Sequence, residues 1–436
     1  MGGFAVTAAR LRQWWADLLA SFWVRPALMT VAAIALAEAL VRAEGAVWLP
    51  EGLDGWVYAG AAGGARDVLG VLAGAIIGVA GTTFSMTVAA LTLASNQMGP
   101  RLLRNFTRDA GNQYALGAFL STFAYALVAL RSVQEAAETT FVPQLAVSVG
   151  LLMGFGCIGV LIWFLQHVAA SISVDRVAAL VHQDLESALD LVARPRGEDP
   201  PPPRLPEPLP RDAVPLKAPG SGYLRVLDHG ALADWAAAQD ARLDLVVRPG
   251  GFVFPGSIIG HVSPAATREE AQARVADGMS IGDARSVEQD LEFAVRQLVE
   301  IALRALSPGI NDPFTAIGVL DRLGAALCGL AGRRLPAGEV WRDDRLRVTW
   351  PAPDYEGLVD AMFHMLRQNA ASQPSVMIRL QEVLGMVAEV EQDPARRVVI
   401  RGHLHLVRDL ALEGTGDAAA RTAINQRHAA ALAAAG

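Results

Sequence analysis

The sequence has little that would serve a disulfide-stabilised, zinc-binding or nucleic-acid-binding protein. It contains only two cysteines, Cys157 and Cys328, and neither has a neighbouring partner for a disulfide or a zinc site. Lysine occurs once, at Lys217, and the formal net charge is −7. Because phosphate binding needs clustered basic side chains, this balance argues against nucleic acid as a main partner.

The motifs of common catalytic sites are also missing. The chain has no G-x-S-x-G, P-loop, H-E-x-x-H or dinucleotide-binding pattern in a convincing context. His403 and His405 lie in the segment RGHLHLVRD, without cysteine or carboxylate neighbours at the spacing of a metal site. We therefore expect no enzymatic activity, no catalytic residues, no metal and no cofactor.

Charged residues are scarce and apolar residues are abundant, especially in the first part of the chain. Only 19% of the residues are charged, whereas 52% are hydrophobic, which is more than a soluble core needs. A helix needs roughly 20 apolar residues to cross a bilayer. Four runs approach this length, at 22–41, 68–94, 114–130 and 142–168. We predict a transmembrane domain of four spans in residues 1–170.

The placement of arginine predicts the orientation of these spans. The link between the second and third spans carries Arg101, Arg104 and Arg108 against Asp109. By the positive-inside rule this link is cytoplasmic. The other two links carry more acidic than basic residues. The sequence therefore predicts a multi-pass protein of the bacterial inner membrane, with its N- and C-termini in the cytoplasm.

The second span carries a stripe of small and polar side chains. At helical spacing it contains Gly70, Gly74, Gly78, Thr82, Ser85, Ala89, Thr92 and Asn96, with Ser95 beside them. Glycines four residues apart let helix backbones approach closely. Hydroxyl and amide groups along one face can instead line a water-filled path. Helix packing and pore lining are both open interpretations of this stripe.

The polarity of this span increases toward its predicted cytoplasmic end, where Ser95 and Asn96 precede Arg101 and Arg104. In an oligomer the two arginines would repeat as a ring at a cytoplasmic mouth and attract anions. Their simpler role is to anchor the topology. No span carries a central ionisable residue of the kind that ion-coupled carriers use. This absence argues against a secondary transporter.

The rest of the chain is interrupted by the proline-rich segment RGEDPPPPRLPEPLPRDAVP, which lacks backbone donors for regular helix or sheet. Short β runs with Pro-Gly turns follow it, and helical periodicity begins at Val287. We predict a helical stalk at 171–197, a linker at 198–217, a β-rich module at 218–286, an α-helical bundle at 287–415 and an alanine-rich, fraying tail at 416–436. The predicted fold is mainly α, with a four-helix transmembrane domain before a cytoplasmic domain.

The segment ALRALSPGINDPFTAIG is predicted to turn from one helix into the next. Gly309 is expected to end the first helix in a left-handed conformation, and Asp312 to cap the second, with Pro313 in its first turn. The alternative is a ligand loop at the N-terminus of the new helix. Its side chains would be Ser307, Asn311, Asp312 and Thr315.

Three segments are similar to one known family. They are VAGTTFSMTVAALTLASNQMGPRLLRNFTRD, SVDRVAALV and RQLVEIALRALSPGINDPFTAI. Together they resemble the bacterial membrane-protein family catalogued as domain of unknown function 2254, and the resemblance covers most of the chain. It implies an integral membrane protein in bacteria and brings no established activity with it.

Two hypotheses about function follow. The first is a homo-oligomeric integral membrane channel or pore-like transport protein for a small ion, with a cytoplasmic gating or assembly domain. The alternative is a membrane-anchored sensory or binding scaffold, which recognises a small ligand or a protein and has no transport activity. In both hypotheses the expected partners are the lipid bilayer and further copies of the chain.

Overall fold

The structure of the chain, a computed structural model, describes residues 22–44, 57–98, 109–135, 140–171, 173–195 and 208–436. The chain divides into two units, Met1–Ser173 and Val174–Gly436. The predicted linker at 198–217 therefore does not separate the two units, because the residues on both sides of it belong to the second.

Four long apolar helices account for most of the described part of the first unit. They are α1 (Val24–Arg42), α2 (Ala62–Met98), α3 (Ala110–Ser132) and α4 (Gln144–Ser171). Each is long and apolar enough to cross a membrane, which confirms the four predicted apolar helices in this part of the chain. The short strands β1 (Gln134–Glu135) and β2 (Thr140–Phe141) pair between α3 and α4.

Helix α3 contacts each of the other three helices described in this unit, and polar contacts hold both of its ends. At its start, the Asp109 carboxylate accepts a hydrogen bond from the backbone N–H of Gly111 at 2.7 Å and lies 2.8 Å from His167 Nε2 on α4. At its other end, Arg131 forms an ion pair with Glu38 of α1. These contacts fix α3 as the centre of the described helices.

The β-rich part of the second unit contains a five-stranded and a three-stranded sheet, with strand orders β11-β12-β6-β8-β4 and β7-β5-β9. The pairing of β12 with β6 is parallel and the other pairings in the two sheets are antiparallel. The strands are β4 (Val214–Lys217), β5 (Gly222–Leu227), β6 (Arg242–Leu245), β7 (Phe252–Val253), β8 (Ile258–Ser263), β9 (Met279–Gly282), β11 (Glu339–Arg342) and β12 (Arg345–Thr349).

Two helices cover these sheets, α6 (His229–Ala238) and α7 (Arg268–Gly278). Alternate strand residues such as Leu224, Leu243 and Ile259 form the buried core with Trp235 of α6. The β-rich module was predicted within 218–286. It also takes in β4 from the predicted linker, and β11 and β12 from the range predicted as a helical bundle.

The helical part of the second unit begins with α5 (Val174–Val192), the predicted stalk. It packs against two later helices and buries Val181 and Leu185. The other helices are α8 (Leu291–Ala305), α9 (Pro313–Leu330), α10 (Tyr355–Asn369), α11 (Pro374–Val390), α12 (Pro394–Gly414) and α13 (Ala418–Ala435). The pair of short strands β3 (Arg194–Pro195) and β10 (Arg333–Arg334) is antiparallel. Helix α13, in the tail that was expected to fray, instead packs against α11 and α12 and buries Ile424.

Helix α9 is a fifth helix long and apolar enough to span a membrane, one more than the sequence analysis predicted. It packs against α5, α8 and α11. Its residues Leu320, Leu323 and Leu327 are fully buried in this contact. The high apolar content of α9 is therefore accounted for by its position inside the second unit, where amphipathic helices surround it.

Candidate functional site

Helix α2 has a packed face and an exposed face. Its packed face contains, at intervals of three and four, Ala62, Ala65, Leu69, Ala73, Ile76, Ala80, Thr83, Thr87 and Ala90. The predicted stripe is exposed, at Gly70, Gly74, Gly78, Thr82, Ser85 and Thr92. With about 100° per residue, the two sets lie roughly half a turn apart. The stripe therefore faces away from α3 and α4, against which α2 packs.

The glycines of the stripe are not filled by another described part of the chain. A methyl group placed on Gly70, Gly74 or Gly78 would have no atom within 4 Å. Gly150 of α4 serves close packing instead, since a methyl group there would lie 3.3 Å from Leu69 of α2, whereas Gly156 and Gly159 of α4 have open space around them. Helix packing within the described chain therefore does not account for Gly70, Gly74 and Gly78.

The hydroxyl groups of the stripe bind to their own helix. Thr82, Ser85 and Thr92 each donate to a backbone carbonyl three or four residues earlier, at 2.9 Å. Their oxygen atoms remain exposed as acceptors. Because each hydroxyl hydrogen is already bonded, this face can lie against another helix or against water without an unsatisfied donor.

Apolar side chains flank the stripe on both sides. Phe84 and Val88 are exposed on one side, and Met86 and Leu93 on the other, each with 45–50% of its surface accessible. Around Ser85 and Thr92 the exposed face of α2 is therefore a polar strip between two apolar margins. A lipid-facing helix would be apolar all round this surface.

Several predicted pore residues have no described side chain. Ser95 and Asn96 lie on α2, which continues to Met98, but their side chains fall outside the described part. Arg101 and Arg104 lie outside the described residues altogether. The predicted cytoplasmic mouth therefore stays a prediction from the sequence.

Comparison with known sequences places the chain in a family. The sequence model of the family described as predicted membrane protein (DUF2254) matches residues 20–386. The chain belongs to the DUF2254 family. This confirms the resemblance seen in the three sequence segments, and it supports a membrane protein from a family with bacterial members.

The curated relatives of this DUF2254 protein are uncharacterised. An uncharacterised protein of Mycobacterium tuberculosis (strain CDC 1551 / Oshkosh) and one of Mycobacterium bovis are each 38% identical over 371 residues. Each alignment covers 81% of this chain and 70% of the relative. No solved structure matches the chain.

The predicted corner between α8 and α9 is present, with Asp312 as the N-cap of α9. Its carboxylate accepts from the backbone N–H groups of Phe314 and Thr315, both at 3.1 Å, and from the Thr315 hydroxyl at 2.6 Å. The hydrogen bond from that hydroxyl is the main reason that the pKa of Asp312 is lowered. The left-handed residue of the corner is Asn311, with φ +50°, and not Gly309 as predicted.

The proposed ligand side chains of this corner already bind within the chain. The Ser307 hydroxyl donates to the Arg304 carbonyl at 2.6 Å, and the Asn311 side-chain oxygen accepts from Gln373 Nε2 at 3.0 Å. Asp312 and Thr315 bind each other. The structure brings all four residues together, and their contacts favour a structural corner over a ligand loop.

A cavity of about 280 Å³ opens beside β6 and β12 and is lined by Asp240, Arg242, Arg345 and Arg347 among other residues. Asp240 accepts from Arg347 Nη1 at 2.9 Å and from Arg345 Nη1 at 2.6 Å. These hydrogen bonds, that of Arg347 first, lower the pKa of Asp240. Arg242 is paired with Asp244 at 2.7 Å. The charges of this cavity are thus largely compensated within the chain.

Sequence reasoning missed a cluster of Asp360, His364 and His403. His403 was judged only against its neighbours along the chain, whereas its carboxylate partner Asp360 lies 43 positions earlier at 3.0 Å. Burial lowers the pKa of His403 despite this carboxylate. The one signal in the sequence was that Asp360 and His364 stand four residues apart in a predicted helix, which places them on one face.

Proposed function

We propose that this DUF2254 protein is a homo-oligomeric channel or pore-like transport protein of the bacterial inner membrane. In this proposal the α2 helices of several copies surround a central axis, both termini lie in the cytoplasm, and the second unit gates or assembles the pore without enzymatic activity. The observation that carries the proposal is the stripe of α2, which is exposed, opposite the packed face and unfilled at its glycines.

The glycine part of the stripe supports contact with another copy. A glycine in a helix costs about 1 kcal/mol relative to alanine. Gly70, Gly74 and Gly78 have no packing contact in the described chain that offsets this cost. Small residues at intervals of four allow a second helix to approach closely. A second copy of α2 would provide that helix.

The hydroxyl part of the stripe supports a hydrated path. Thr82, Ser85 and Thr92 follow the glycines along the same face, toward the predicted cytoplasmic end. From Val68 to Leu93 the helix has no charged side chain. Along this path the side chains that a small ion would meet are hydroxyls, which do not distinguish anions from cations by charge. The selection between ions would therefore occur at the cytoplasmic mouth, where Arg101 and Arg104 favour anions.

The test is ion flux through purified protein in liposomes, under separate chloride and potassium gradients. Ser85→Leu and Thr92→Leu replace hydroxyls of the path with larger apolar side chains, and we expect each to reduce flux at least about tenfold because the path loses its polar lining and its width. Met86→Leu is the matched control: it is exposed, adjacent to Ser85 and off the stripe, and flux should remain at the wild-type level.

The outcomes separate the two hypotheses about function. An absence of flux under every ionic gradient would rule out the channel. If the protein is oligomeric but conducts no ion, the hypothesis of a membrane-anchored scaffold replaces that of a channel. Flux that is equal in wild type, Ser85→Leu and Thr92→Leu would show that α2 does not line the path.

A further inference from the structure

Three side chains that can bind a metal meet between α10 and α12. His403 Nε2 and His364 Nδ1 lie 3.0 and 3.1 Å from the same oxygen, Asp360 Oδ1. All three ligand atoms lie within 4.8 Å of one another. The two imidazole rings are 5.7 Å apart and inclined at 77°, so they approach the carboxylate from different directions.

The two helices hold this cluster in a defined geometry. Asp360 and His364 are one turn apart on α10 and therefore lie on the same face. His403 of α12 is 3% exposed, and its ring packs edge-on against Phe363 of α10, with ring centres 6.2 Å apart. The position of His403 is therefore set by packing as well as by its contact with Asp360.

The hydrogen bonding of the cluster is incomplete. His403 Nε2 is hydrogen-bonded to Asp360, whereas His364 Nδ1 is buried and, within the described structure, has no partner in hydrogen-bond geometry. A buried polar atom without a partner is unfavourable. A cation placed among the three groups would bind both imidazole nitrogens and the carboxylate oxygen together.

We propose that Asp360, His364 and His403 form a binding site for one divalent cation of the zinc type. Zinc binds imidazole and carboxylate ligands at about 2.0–2.1 Å, so tetrahedral ligand atoms lie roughly 3.3 Å apart. The two separations from Asp360 Oδ1, 3.0 and 3.1 Å, are close to this value, and all three atoms lie within 4.8 Å, so that a shift of the half-exposed His364 ring would complete the site. Two nitrogen ligands disfavour calcium and magnesium, which prefer oxygen.

The exposure of two of the three side chains leaves the cluster open to water. The side chains of Asp360 and His364 are 46% and 44% exposed, whereas His403 is almost fully buried. Three protein ligands with one open position are typical of zinc sites that exchange a ligand. The nearly buried Arg367 adds a positive charge that acts on His403 and opposes a bound cation.

The bound ion links α10 to α12 and so stabilises the second unit by binding only its folded form. The site depends on neither the pore nor the orientation of the spans. It can therefore be tested independently of the proposed channel.

The experiment titrates full-length, detergent-solubilised and chelator-treated protein with zinc chloride in a calorimeter, and follows thermal unfolding with and without zinc. We expect one zinc ion per chain and a higher unfolding temperature with zinc. His364→Ala removes a half-exposed ligand and should weaken zinc binding roughly 100-fold or more. Changing a residue that only hydrogen-bonds to a metal ligand already weakens binding by up to about 100-fold, and loss of the ligand itself should have at least this effect.

Two further variants complete the test. His405→Ala removes an exposed histidine from the same helix α12 and should bind zinc as the wild type does. Asp360→Asn preserves the shape of the side chain and should also lose zinc, which keeps the test decisive if His364→Ala fails to fold. Wild-type protein that binds no zinc at micromolar concentration, or variants that retain wild-type affinity, would overturn the proposal.

Discussion

Three histidines of the second unit are held neutral by their surroundings. The pKa values of His229, His403 and His428 are all lowered, and the main cause in each is burial, which disfavours the charged imidazolium. The effect on His229 is large, with a pKa of about 4. Its ring stacks on Trp350 at 3.8 Å between centres, and its Nε2 is buried without a hydrogen bond in the described structure.

The protonation of His229 should make stability depend on pH. The unfolded chain binds a proton near pH 6.5, whereas the folded chain resists protonation until about pH 4. The stabilising contribution is therefore complete above pH 6.5 and decreases as the pH falls from 6.5 toward 4. His229→Phe retains an aromatic ring against Trp350 but cannot be protonated. We therefore expect the variant to lose less stability than the wild type as the pH falls.

The measurement is the unfolding temperature of wild type and His229→Phe between pH 4 and pH 8. The wild type should lose more stability than the variant between pH 6.5 and pH 4. His405→Phe, at an exposed position, is the control and should follow the wild-type curve. Parallel curves for wild type and His229→Phe would contradict the assignment.

At the scale of the element, helix α2 has one face that packs within the chain and an opposite face that is exposed. Its alanine-rich face packs against α3 and α4 within the chain. Its opposite face combines glycines, hydroxyls and apolar margins, and no other described helix covers it. Since both faces are rich in small residues, composition alone did not distinguish them.

Cysteine cross-linking tests the contact that this exposed face is proposed to make. In a background with Cys157→Ala and Cys328→Ala, Ser85→Cys should form a disulfide between copies in membranes under mild oxidation, because identical stripes meet at the axis. Met86→Cys is equally exposed but lies off the stripe, so it should cross-link far less. Equal cross-linking at positions 85 and 86, or none at 85, would contradict the arrangement.

At the scale of the whole molecule, the division of the chain differs from the one that its proline-rich segment suggested. The second unit starts at Val174, so α5 belongs to it. Helix α5 packs against α8 and α9, and Arg333 forms an ion pair with Asp190 of α5. The second unit is therefore incomplete without residues that precede the proline-rich segment.

Two fragments test this boundary. A fragment of residues 174–436 should unfold cooperatively, whereas 208–436, which keeps β4, should aggregate or unfold at a markedly lower temperature, because loss of α5 exposes the apolar surfaces of α8 and α9. Each buried residue such as Val181 or Leu185 contributes about 1.5–3 kcal/mol. Equal unfolding temperatures of the two fragments by circular dichroism would contradict the boundary at Val174.

Much of the local structure was predictable because it depends on neighbours a few positions apart. Length and apolar content identified the four long apolar helices, and the Asp312-Pro313 pair identified the start of α9. The same local reasoning failed at Gly309, because Asn311 and not Gly309 adopts the left-handed conformation. The side chain of Asn311 accepts a hydrogen bond from Gln373, which is distant in the sequence.

The sequence by itself determined that the front of the chain is a set of apolar helices and that small and polar residues share one face of α2. Only the tertiary structure decided that this face is exposed, that α5 joins the second unit, and that Asp360 meets His403. It also paired β12 with β6, through residues such as Thr349 and Asp244, 105 positions apart. The reason is that periodicity along a chain shows which side chains share a surface, whereas the partner of each surface is chosen by packing among all of them at once.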